Sequence, residues 1–96
     1  MNYILTSAFV RKFDSYSLKT QQLTFRAIER IKNYLETGQA PYGLRIKKLS
    51  KKIYEARITI ALRIAFFVKD DTVKFFCLGN HDDIQRCLKQ LKQLLR

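Results

Sequence analysis

One proline and three glycines in 96 residues leave too few chain breakers for a linker, a repeat array or a disordered tail, and no stretch is low in complexity. Two cysteines are too few for the disulfide framework of a small secreted domain. Cys77 lies in an apolar strand run and Cys87 on the apolar stripe of a helix, where a free thiol packs as a small hydrophobe. One histidine and two such cysteines cannot assemble the usual four ligands of a zinc site, so no metal and no cofactor are expected. No apolar run is long enough to span a bilayer, and the start has no signal-like pattern. The chain therefore reads as cytoplasmic, with no membrane attachment. Acid is scarce too: eight Asp and Glu stand against 19 Lys and Arg, a formal net charge of +11. Such a field attracts polyanions, either nucleic-acid phosphates or an acidic protein.

What is present suits a compact α+β fold. With 47% hydrophobic residues, residues 1–96 are long enough for one domain with its own core and too short for two. Asn2–Leu5 reads as a short strand. Thr6 or Ser7 can cap a short helix carrying Phe9, Val10, Phe13 and Tyr16 at helical spacing. Ser17 caps a longer helix, Leu18 to about Glu36, with Phe25, Ile28, Ile31 and Leu35 as its apolar stripe and Gly38 and Pro41 as its stop. Four runs rich in β-branched and aromatic residues follow: Leu44–Leu49, Ile53–Thr59, Leu62–Lys69 and Thr72–Gly79. Asn80 then caps a last helix, with Asp82 and Asp83 in its first turn and Ile84, Cys87, Leu88, Leu91 and Leu95 along its stripe. The expected architecture is an antiparallel sheet with an N-terminal helical hairpin packed on one face and a C-terminal helix. Because Ile64, Phe66 and Val68 alternate with Ala65 and Phe67, both faces of the central strands need cover.

Pairing the strands brings the cations together. A hairpin centred on Ile60 sets Thr59 opposite Ala61, Ile58 opposite Leu62 and Arg57 opposite Arg63. A two-residue turn at Asp70-Asp71 sets Arg63 opposite Leu78, so Arg57, Arg63, Leu78 and Asn80 share a face at one end of the sheet, close to His81. Glu55 shares the strand face of Arg57, while Tyr54 takes the other. Like charges directly across a strand pair cost about 0.2–1 kcal/mol, so the arrangement asks for an anion between them.

The order of elements and the runs Gly43-Leu44-Arg45-Ile46-Lys47-Lys48-Leu49, Ile53-Tyr54-Glu55-Ala56-Arg57-Ile58, Leu62-Arg63-Ile64 and Gly79-Asn80-His81-Asp82-Asp83-Ile84 resemble the RelE/ParE toxin superfamily. The likeness runs along essentially the whole chain. It implies the toxin of a bacterial type II toxin–antitoxin system, a small basic protein held in a hetero-oligomer by an acidic cognate antitoxin. One branch of the superfamily cleaves messenger RNA in the ribosomal decoding site; another inhibits DNA gyrase without hydrolysis. The resemblance favours the first, an mRNA interferase whose partners are the ribosome and mRNA. The second reading, and that of a degenerate module that only binds nucleic acid or antitoxin, stay open.

By resemblance, Arg63 matches the strand arginine that contacts the scissile phosphate, Arg57 a second basic position, Lys47 and Lys48 the basic residues before the central hairpin, and His81 an acid or base near the last helix. Where cleaving members often carry a tyrosine shortly after that histidine, this chain reads His81-Asp82-Asp83-Ile84-Gln85-Arg86. Attack of a 2′-hydroxyl on the neighbouring phosphate needs a base, an acid and cations for the charge that grows on phosphorus. Arg57 and Arg63 offer fixed forks of donors, His81 the only side chain with an ordinary pKa near neutrality, and Glu55 a second acid–base group. The candidate catalytic set is thus Arg63, His81, Arg57 and Glu55, working without a metal. Lys47, Lys48, Lys51 and Lys52 form a candidate RNA-binding run.

Overall fold

The computed structural model describes residues 1–39 and 44–94. Pro41 and Leu95, singled out above, lie outside the described residues. β1 (Asn2–Leu5) leads into α1 (Ser7–Asp14), whose cap is Thr6: its hydroxyl accepts from the Phe9 amide at 3.2 Å. α2 (Leu18–Thr37) starts at Ser17, which accepts from the Thr20 amide, and stops at Gly38. There φ is +78°, a conformation glycine adopts without a Cβ penalty, and the Gly38 amide donates to the Tyr34 carbonyl at 2.7 Å.

β2 (Lys47–Lys48), β3 (Ile53–Arg57), β4 (Arg63–Lys69) and β5 (Thr72–Gly79) follow, then α3 (His81–Leu94). The sheet order is β1-β5-β4-β3-β2. Its four consecutive strands are antiparallel as expected, and β1 adds a parallel pair on β5. Ile64, Phe66, Val73, Phe75 and Leu78 pack against Phe9, Ala27, Ile28 and Ile31 of the helical hairpin. On the other face α3 lays Ile84 against Ala65 and Cys77, with Leu49, Phe76 and Leu88 around them. Burying a side chain such as Phe66 or Phe75 contributes about 1.5–3 kcal/mol, so the hairpin face carries most of the apolar stabilisation. Among the described residues, no helix is long and apolar enough to cross a membrane.

Four expectations are corrected by the packing. Leu44–Leu49 does not form one strand: only Lys47–Lys48 pairs, because Arg45 takes φ +46° and turns the chain out of the ladder. The stripe of α2 runs through Thr24, Ala27, Ile28 and Ile31, while Phe25 is 59% exposed; Thr24 enters the core because its hydroxyl donates to the Thr20 carbonyl at 2.9 Å. The two cysteines are not separate thiols but a Cys77–Cys87 disulfide, their Cα atoms 6.3 Å apart and well within bridging range. Finally, β5 carries a bulge at Phe76: Phe66 pairs with Phe75, but Ala65 pairs with Cys77. The extra residue sets Arg63 opposite Gly79 rather than Leu78, and Leu78 turns into the hairpin core, only 3% exposed.

The strand-to-helix corner that follows is tight. The Asn80 amide donates to Asp83 Oδ2 at 3.0 Å, and the Asp83 amide donates to Asn80 Oδ1 at 2.9 Å, a reciprocal cap for α3. This brings Asp83 over Gly79, where an added Cβ would meet the Asp83 Cβ at 2.5 Å. Gly79→Ala is expected to cost about 1–3 kcal/mol in urea unfolding, through displacement of the cap.

At the far edge, Tyr3 stacks on Phe75 with ring centroids 6.5 Å apart and donates to Glu36 Oε1 at 3.0 Å. Burial first, then the accepting Glu36 carboxylate, push its phenol from 10.0 up to about 12. With the folded value above the unfolded one, this group's share of stability is whole below about pH 10 and is lost as pH rises towards 12. Unfolding titrations of the wild type and Tyr3→Phe should show the wild type losing more stability across that window.

Candidate functional site

Strand parity and the hairpin register assemble the cations. Arg57 pairs across the ladder with Arg63 and Glu55 with Ala65, as expected for the central hairpin, and β2 sets Lys47 opposite Glu55. Side chains on this side of β2, β3 and β4 rise from the part of the sheet that α3 leaves uncovered. Arg45, Ile46, Lys47, Glu55, Arg57 and Arg63 line a cleft there of about 400 Å³. Four cations face one carboxylate, so the cleft is strongly positive.

Arg63 is the hub. Its Nη1 donates to Glu55 Oε1 at 2.6 Å and lies 3.5 Å from Nδ1 of His81, the first residue of α3. The Glu55 side chain is 8% exposed and that of Arg63 22%. A charge pair so withdrawn from water is held in one geometry, and Arg63 cannot swing away without stranding a buried carboxylate. Its Nε is buried and meets no acceptor among the described residues. A buried donor without a partner carries a desolvation cost. His81 itself is exposed at the cleft's edge, where one ring nitrogen can face Arg63 while the other faces solvent or a ligand.

The lysine run divides. Lys47 lines the cleft. Lys48, one residue on, points to the other face and sits over the Tyr54 ring, 5.9 Å from its centroid. Tyr54 in turn stacks on Phe66 at 5.5 Å, inside the hairpin side of the sheet. Lys51 and Lys52 occupy the β2–β3 connection and do not line the cleft. Arg45 does, although the sequence reading passed over it. The available signal was its place in the basic run Arg45-Ile46-Lys47, but only the irregular backbone at φ +46° aims it inward. The backbone there is anchored by the Arg57 amide, which donates to the Leu44 carbonyl at 3.0 Å.

An oxyanion matches this set: the Arg57 and Arg63 guanidinium groups side by side, with Arg45, a lysine, a clamped carboxylate and an imidazole at the rim. Among the described residues no group of three or more His, Cys, Asp or Glu side chains is gathered as a metal site.

No protein-family model matches the sequence, and no curated protein matches it either. Solved structures do. A copper-bound mutant toxin from Helicobacter pylori is 18% identical, with 88% of this chain and 98% of that one covered and a TM-score of 0.64. The YoeB dimer from Staphylococcus aureus is 18% identical over 84% of this chain and 97% of that one, with a TM-score of 0.65. The RelB–RelE antitoxin–toxin complex from Methanococcus jannaschii gives 19% identity, 86% and 95% coverage, and a TM-score of 0.60. The chain has the α+β fold of these toxins.

Proposed function

We propose that this chain is the toxin of a type II toxin–antitoxin pair and that it cuts messenger RNA on the ribosome, in the cytoplasm. The observation that carries the reading is the Glu55–Arg63–His81 cluster beside Arg57, in a cleft that Arg45 and Lys47 also line. A scissile phosphate bound between Arg57 and Arg63 meets their outward guanidinium N–H groups, and the two forks stabilise the dianion that forms as the 2′-hydroxyl attacks. Glu55 takes the hydroxyl proton. His81, as the imidazolium, gives a proton to the departing 5′-oxygen and is left as the neutral imidazole, whose Nδ1 can then accept from Arg63 Nη1, 3.5 Å away. Lys47 and Arg45 hold the flanking phosphates. The ribosome orients the RNA, because a shallow, open cleft with few apolar walls fixes a single strand poorly by itself.

The antitoxin takes the opposite side. A groove of about 410 Å³ lies beside β1, lined by Leu5, Val10, Phe13, Phe25 and Ile28 among others. Leu5, Val10 and Phe25 there are 48%, 37% and 59% exposed, and β1 is an edge strand open to a further pairing. A segment with apolar anchors suits the groove, which itself holds Asp14 and Glu29 beside Lys32, and acidic flanks suit the surrounding chain of net charge +11.

Expression of the chain with and without the neighbouring open reading frame tests the proposal, with RNA ends mapped by primer extension on translated messages. Cuts within reading frames that vanish on co-expression are expected. Intact messages with a DNA-damage response would instead identify a gyrase inhibitor, and unimpaired growth a binding module.

A further inference from the structure

We infer that the Cys77–Cys87 disulfide is a reversible redox site that holds His81 against Arg63, so that the oxidised chain presents an assembled cleft and the reduced chain an open one. The inference concerns the cluster on which the proposed function rests, but its evidence is separate. α3 leaves the sheet directly after Gly79, the residue paired with Arg63, and His81 is its first residue. Besides the bridge, α3 is held by a small satellite cluster, Ala65, Cys77 and Ile84 with a few half-buried neighbours, set apart from the main core. A helix of 14 residues is marginal on its own in water, so its order depends on that docking. The bridge ties β5 to the second turn of α3 and closes a loop that contains Gly79, Asn80, His81 and the Asn80–Asp83 cap. Opening the bridge releases the segment that presents the imidazole, while the sheet and the hairpin core, apart from Leu78 and Gly79 at the end of β5, stay outside the closed loop.

The bridge is reachable. A surface groove of about 260 Å³ runs along it, lined by both cysteines with Lys12, Phe76, Arg86 and Gln90. Cys77 is 4% exposed, whereas Cys87 is half-buried, so an external thiolate meets Cys87 Sγ first. Lys12 favours the thiolate forms that exchange requires, whereas Arg86 is paired with Asp83 in the same groove at 3.3 Å. The reductant is a low-molecular-weight dithiol. Its first thiolate bonds to Cys87 Sγ and expels Cys77 Sγ, which takes up a proton; Sγ lies 3.6 Å from the Asp83 carbonyl, a ready acceptor for the resulting S–H. The second thiolate of the reductant then displaces Cys87, which is also protonated. Two electrons and two protons pass to the protein and the reductant ends as its own disulfide; a small-molecule disulfide reverses the sequence.

The chain contains one histidine, so its ring gives one NMR signature for the site. Full-length protein would be oxidised with glutathione disulfide or reduced with dithiothreitol, its thiols counted, and each form followed by the His81 ring resonances, by amide exchange and by titration with inorganic phosphate. Reduction is expected to uncover two thiols, move the ring signals towards those of free histidine and speed exchange in α3 while β4 and β5 stay protected. Phosphate binding should persist in both forms, because Arg57 and Arg63 lie on β3 and β4, outside the closed loop. Cys87→Ser, at the half-buried position, should reproduce the reduced spectrum in oxidising buffer. Thiols that do not pair under oxidant, identical His81 and α3 signals in the two forms, or loss of β4 and β5 protection together with α3 would each overturn the inference. None of these readouts uses RNA cleavage, so the proposed function can fail without it.

Discussion

Arg63→Ala is expected to lower mRNA cleavage about 10²- to 10³-fold, the range for loss of one preorganised donor to a developing oxyanion. It should also lower stability, which a purely catalytic residue would not do. Glu55 is 6% exposed, and its carboxylate accepts from Arg63 Nη1 at 2.6 Å; without that partner a buried charge is stranded, at a cost of about 3 kcal/mol or more. Arg63→Lys separates the two effects. An ammonium can still neutralise Glu55, so most of the stability should return. It lacks the planar fork that would serve carboxylate and phosphate together, so most of the cleavage should not. Urea unfolding and single-turnover cleavage on programmed ribosomes measure the pair. Wild-type rates in Arg63→Ala would remove Arg63 from the chemistry, whatever its part in the fold.

His81→Ala should give the complementary pattern: cleavage down about 10²- to 10⁴-fold, as for loss of a general acid, with stability nearly unchanged. His81 is exposed, and among the described residues its side chain hydrogen-bonds only Arg63, at 3.5 Å, so little folding energy depends on it. The loss should fall on the chemical step, not on RNA binding, because the phosphate is held by Arg57 and Arg63. Ribosome binding by His81→Ala that matches the wild type, with a depressed cleavage rate, is the expected split. Weak binding together with an unchanged rate would make the imidazole a docking contact only.

The central hairpin was legible because two simple rules set it. A hairpin about Ile60 has one register that puts Ala56, Ile58, Leu62 and Ile64 on the buried side, and that register brings Arg57 opposite Arg63. Helix ends were legible for the same reason: Thr6, Ser17 and Asn80 each have a hydroxyl or amide oxygen at the first free amides. The bulge at Phe76 was not, since an extra aromatic in an apolar strand alters neither composition nor alternation enough to be seen. Its effect was large, moving Leu78 off the arginine face and placing Gly79 beside Arg63. Phe25 misled because hydropathy ranks it above Thr24, while the helix phase buries Thr24 and satisfies its hydroxyl internally. Adjacent lysines could not all reach one site, as period two sends Lys47 and Lys48 to opposite faces. The disulfide escaped the sequence reading because spacing alone does not tell a strand cysteine which helix turn will dock above it. Arg45 escaped it because nothing in its neighbours announces a left-handed backbone.

The account stands on Arg57, Arg63, Glu55 and His81 acting on one phosphate. The chemical nature of the ends that purified protein makes in a defined message on programmed ribosomes tests this most directly. Attack by the neighbouring 2′-hydroxyl predicts a 2′,3′-cyclic phosphate upstream and a 5′-hydroxyl downstream, with no cut where a 2′-deoxy nucleotide replaces the attacking one. A 3′-hydroxyl with a 5′-phosphate, or cleavage that persists at the 2′-deoxy position, would contradict it.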